Sequence, residues 1–133
     1  MQLLHKELTG KILAACFQVS NELGCGFIES VYKNALLIVF DEKGIHAVSE
    51  YPLSVTFHGQ TVGSFYADLF VEDRVIVELK AVAALSDVHK AQLINYLKAT
   101  GIDIGLLVNF GNPKLEFRSF TNRLKQVETI KNG

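Results

Sequence analysis

The chain has 133 residues, 49% hydrophobic and 20% charged, with 13 basic and 14 acidic residues and a formal net charge of −1. This length predicts one domain over residues 1–133, large enough to close a core without disulfide staples. The composition excludes a disordered or collagen-like chain. The longest apolar run, the six residues from Ala35 to Phe40, falls far short of a membrane span.

The N-terminus, Met1-Gln2-Leu3-Leu4-His5-Lys6-Glu7, lacks a basic stretch followed by an apolar one, so the chain reads as cytoplasmic, with no secretory leader and no membrane partner. Leu4, Leu8, Ile12, Ala15, Val19 and Leu23 recur at three- and four-residue steps and predict an amphipathic helix, stopped by Gly24-Cys25-Gly26. A second helix is expected from about Phe27 to Lys43, with Ile28, Val31, Ala35 and Ile38 as its buried stripe. Val48 to Phe57 and Thr61 to Val71 read as strands around a turn at His58-Gly59-Gln60. Glu72-Asp73-Arg74 is a tight turn, and Val75 to Lys80 a strand whose run Val75-Ile76-Val77 suggests cover on both faces. Ser86 caps a helix from Asp87 to Thr100, ended by Gly101. In that helix Val88, Ala91, Ile94 and Leu97 form the expected core face, and His89, Gln92 and Tyr96 a polar one. Ile102 to Phe110 and Leu115 to Phe120 are the last strands. The strand–helix–strand unit from Val75 to Phe110 should join parallel strands by a right-handed crossover. The fold class is therefore α/β, a mixed central sheet flanked by helices on both faces.

Charge is unevenly spread. Glu22 to Asp87 holds ten acidic against four basic residues, and Lys114 to Lys131 five basic against two acidic. This fits an ordinary solvated surface, and equally an acidic pocket for a cation beside a basic flank for phosphates. Cys16 and Cys25 have no CxxC or HxxxH partner for zinc and read as reduced thiols.

Val77-Glu78-Leu79-Lys80 carries the sharpest local signal. Alternation sends Glu78 and Lys80 to one face, which fits either two solvated charges or a site. A three-residue turn would set Asp68 opposite Glu78, and directly opposed carboxylates call for a cation. A two-residue turn would separate them. Two carboxylates and a main-chain carbonyl make the oxygen-rich donor set that Mg²⁺ or Mn²⁺ prefers. Glu29 is a third candidate, sharing a helix face with Tyr32. It also suits a helix N-terminus, or an i,i+4 pair with Lys33.

Asp68, Glu78-Leu79-Lys80 and Gln92-Leu93-Ile94-Asn95-Tyr96, in this order, resemble the PD-(D/E)XK nuclease superfamily. The spacing of Gly26, Glu29 and Tyr32 is similar to its small GxxExxY family. The resemblance runs from about Leu4 to Arg118. It implies a restriction-endonuclease-like core and metal-dependent hydrolysis of phosphodiester bonds in nucleic acid, DNA or RNA. Under it Asp68, Glu78 and the Leu79 carbonyl would hold Mg²⁺ or Mn²⁺, completed directly or through water by Glu29. Lys80 would align or help deprotonate the attacking water and stabilise the developing phosphorane charge, and Gln92 and Tyr96 would position the site or the scissile phosphate. Tyr32 and Arg118 are the candidates for substrate contact. Phe65-Tyr66 stands where the family often carries a basic residue. The rival reading is a nuclease-fold module that binds nucleic acid or a protein without cutting. One small subunit offers little surface for a duplex, so a homodimer is expected.

Overall fold

The computed structural model describes residues 3–122; the side chain of Leu4 and the basic residues Arg123, Lys125 and Lys131 lie outside what is described. Along the chain run α1 (Leu3–Leu23), α2 (Glu29–Glu42), β1 (Ala47–Phe57), β2 (Gln60–Val71), β3 (Val75–Lys80), α3 (Asp87–Thr100), β4 (Ile104–Asn109) and β5 (Glu116–Thr121). The strands form one sheet in chain order. β3 and β4 are parallel; the other neighbours are antiparallel. Helices α1 and α2 bury one face, through Ile12, Cys16, Leu36 and Phe40 against Leu69, Val77, Leu79 and Leu106. Helix α3 buries the other, through Leu93 and Leu97 against Phe70, Ile76 and Leu107. The expected α/β architecture with helices on both faces is what the chain forms.

The β2–β3 hairpin closes through Glu72-Asp73-Arg74, with Val71 paired to Val75. Glu72 and Asp73 both take left-handed backbone, the geometry a tight hairpin twist asks for. The odd-numbered turn is the one that keeps Asp68 and Glu78 in step.

Two helices sit rotated from the expected faces. In α2 the buried residues are Tyr32, Leu36, Val39 and Phe40, while Ile28 and Ile38 are 72% and 62% exposed. Helix α2 is apolar around most of its circumference, so hydropathy alone leaves its inward face open. Tyr32 goes inside because its hydroxyl finds partners there. In α3 the buried pair is Leu93 and Leu97, and Val88 is 76% exposed. Gly105 on β4 makes room for Leu93: a Cβ there would stand 2.9 Å from Leu93 Cδ1.

Candidate metal centre

The β2–β3 register runs Val71↔Val75, Phe70↔Ile76, Leu69↔Val77 and then stops. One step on, side chains replace the ladder. The Asp68 amide donates to Glu78 Oε2 at 3.0 Å, and the Leu79 amide donates to Asp68 Oδ2 at 2.8 Å. Each carboxylate thus caps the other strand's backbone, and both are brought together at the C-terminal end of β3. β2 turns over at this point. Leu69 and Val71 face the α1/α2 cluster, whereas Phe70, Ala67 and Phe65 all reach the α3 cluster. Asp68 sits at the break, which aims its carboxylate along the sheet towards β3.

Burial pushes the Glu78 carboxyl up to about 8, aided by the negative charge of Asp68; the Asp68 amide and Lys80 act the other way. Lys80 follows on the same face as Glu78, its main-chain carbonyl accepting from Phe110 N at 2.8 Å. From α3, Tyr96 stacks on Phe65 with centroids 3.8 Å apart. Burial, and then the charges of Glu78 and Asp68, raise the Tyr96 phenol above its ordinary value. Gln92 stands exposed one turn before Tyr96. Arg118 is exposed on β5. Glu78, Leu107 and Arg118 occupy one row across β3, β4 and β5, about 10 Å from first to last at the strand spacing.

Three expected features are placed differently. Glu29 lies exposed in the first turn of α2, and among the described residues no three His, Cys, Asp or Glu side chains gather as a metal group. Lys33 pairs with Glu50 of β1 rather than with Glu29. Tyr32 is fully buried: its hydroxyl donates to Gly24 O at 2.7 Å and accepts from Phe27 N at 3.3 Å, and its ring stacks on Phe110 at 4.5 Å. It braces the α1–α2 loop and presents nothing to a substrate. His89 closes a reciprocal cap with Ser86 at the start of α3.

Sequence reasoning missed the buckle behind Lys80. Asn109 is buried, accepts from Val82 N and Gly111 N, and donates to Val82 O and Glu116 Oε1. Glu116 Oε1 also accepts from Leu85 N, and the Asn109 amide holds its carboxyl below the usual range. Asn112 ties to Ala83 O. Together these fix the loop between Lys80 and α3. An amide ending the apolar run Leu106-Leu107-Val108 was the only sequence signal.

The centre suits a divalent cation. Glu78, left alone, favours its protonated form because burial disfavours the charge and the negative charge of Asp68 adds to that cost; a cation would offset both. The end of the β2–β3 register leaves the Leu79 carbonyl, on the same edge as its amide, without a ladder partner in β2. Two carboxylates and one carbonyl are a donor set that Mg²⁺ accepts while keeping positions for water and phosphate.

Residues 6–120 match a family described as the PD-(D/E)XK nuclease superfamily. No curated protein matches the chain in sequence. Two solved structures share the fold. The protein SSO0001 is 17% identical with a TM-score of 0.55, covering 77% of this chain and 55% of its own. An alkaline exonuclease (LHK-Exo) from Laribacter hongkongensis is 12% identical with a TM-score of 0.50, covering 72% and 57%. This chain thus spans little more than half the length of either.

Proposed function

Because the chain belongs to the PD-(D/E)XK nuclease superfamily, we propose that it is a divalent-metal-dependent nuclease centred on Asp68, Glu78 and Lys80, and that within the superfamily it is a GxxExxY protein through Gly26, Glu29 and Tyr32. The carrying observation is the pair of contacts where the β2–β3 ladder ends, the Asp68 amide donating to Glu78 Oε2 and the Leu79 amide to Asp68 Oδ2. Asp68, Glu78 and the Leu79 carbonyl would hold Mg²⁺ or Mn²⁺. Such an ion, when bound, acidifies water and offsets charge on a phosphate under attack.

The chain's own groups do the rest. Lys80 Nζ, beside Glu78, donates to the attacking water and fixes its direction. It also offers positive charge to the phosphoryl oxygens as their charge grows. The Tyr96 hydroxyl, which feels the charge of both carboxylates, is assigned to positioning the site. The exposed Gln92 amide donates to a non-bridging phosphate oxygen, and Arg118 meets a neighbouring phosphate. Glu29, on the other helix layer, has no place in the set of direct ligands. Cleft and chain are small for a duplex, so two subunits are assigned to each substrate.

The test is hydrolysis of DNA and RNA, single- and double-stranded, with Mn²⁺ or Mg²⁺. Asp68→Asn and Lys80→Met should each lower the rate on the order of a hundredfold or more while melting as the wild type does. Cleavage undiminished in both variants would overturn the assignment. Light scattering of the substrate complex reads the number of subunits.

A further inference from the structure

We propose that Glu50, latched by Lys33, is a positioning residue that aims Asp68. The role is inferred for the centre described above and rests on that reading only for its catalytic consequence.

The argument starts from strand edges. Residues with odd numbers in β3 face β2, because Lys80 O is taken by Phe110 on the β4 side and Leu79 N reaches Asp68. The pairs Leu69↔Val77 and Val71↔Val75 then turn the odd residues of β2 towards β3, and the even ones towards β1. By that alternation the Asp68 amide belongs to β1. It donates to Glu78 on β3 instead. On β1 the residue standing opposite Asp68 is Glu50. The register runs Ser49↔Leu69 and resumes at Tyr51↔Ala67, with no pair between. Glu50 has φ +53, left-handed backbone inside a strand and away from any turn. Side chains on both strands change face here: Ala47 reaches the α1/α2 cluster and Tyr51 the α3 cluster, as Leu69 and Ala67 do on β2. The two strands share one distortion, and its visible output is the aim of the Asp68 carboxylate.

A glutamate has no intrinsic liking for this conformation. Lys33 supplies the reason it stays. Its side chain, on α2 and 18% exposed, pairs with the 57% exposed Glu50 through Oε1. The pair ties α2 to the point where β1 is twisted.

Glycine adopts left-handed backbone freely, whereas valine resists it. Glu50→Gly and Glu50→Val both delete the carboxylate, so their contrast reads the backbone alone. The readout is hydrogen exchange of the Leu79 amide, which donates to Asp68 Oδ2, measured without metal or substrate. Exchange should run roughly tenfold or more faster in Glu50→Val than in Glu50→Gly, the equilibrium equivalent of the left-handed penalty that glycine escapes. Glu50→Gly should leave it within a few-fold of wild type, and Lys33→Met should fall between. The Val77 and Leu106 amides should not follow. Equal Leu79 exchange in Glu50→Gly and Glu50→Val, or a rise shared by Val77 and Leu106, would overturn the proposal. Nuclease assays on the same variants separate the two claims: a Leu79 response in a protein that cuts nothing retains the positioning role and removes the nuclease.

Discussion

At the scale of single residues, the energetics centre on Glu78. Its carboxyl is raised by burial and by Asp68, so the fold favours the protonated form. Without metal, the contribution of Glu78 to stability is complete below the ordinary carboxyl range and is lost as the pH climbs towards about 8. Melting in EDTA should therefore decline over that window, and Glu78→Gln should flatten the decline. Added Mn²⁺ should raise the melting temperature more at pH 8.5 than at pH 5.5, because protons compete for the same oxygens. Asn109 is the second sensitive residue. Asn109→Ala would strip part-buried groups of Val82 and Gly111 of their partner and weaken the hold on Glu116, at a cost of about 1–3 kcal/mol, measurable by urea denaturation. Gly111 stands so near the Val82 backbone that a Cβ would lie 2.0 Å from its carbonyl oxygen. Gly111→Ala should destabilise at least as much.

At the scale of elements, the strands and their order were legible because punctuation and period agreed: Gly59, the Glu72-Asp73-Arg74 turn and Gly101 bound the segments they were expected to bound. The helical faces were less legible. Ile28, Ile38 and Val88 are apolar and exposed, so hydropathy pointed α2 and α3 a residue or so astray. Of the site, the pairing of Asp68 with Glu78 followed from turn length alone. Lys33, Glu50 and Asn109 did not, because Lys33 and Glu50 are 17 residues apart and Asn109 is held mainly by backbone atoms, those of Val82 being 27 residues away. Tyr32 shows the same limit, since its spacing from Glu29 implied a surface and its hydroxyl serves the α1–α2 loop. Tyr32→Phe should cost about 1 kcal/mol of stability and leave nucleic-acid affinity unchanged, which titration of a labelled oligonucleotide would show.

Across the whole molecule, Glu78 at the end of β3 and Arg118 of β5 stand in one row of the sheet. Lys114 and Arg118 line the same hollow beside Glu116. A polyanion reaching Glu78 from the β5 end of that row would meet positive charge first. Binding should weaken with salt, and Arg118→Ala should reduce the slope of log affinity against log salt by about one. Among the described residues no helix is long and apolar enough to cross a membrane. The gap between α3 and the strands beneath it is set at Gly105, where Leu93 rests directly on bare main chain. One methyl group there would act as a shim: Gly105→Ala should jack the helix outward, carrying Gln92 and Tyr96 up with it while Asp68 and Glu78 stay seated. In the proposed nuclease, a wedge placed that far below the site would slow turnover more than it loosened the metal, so the spacing of two layers would itself be a tuning screw.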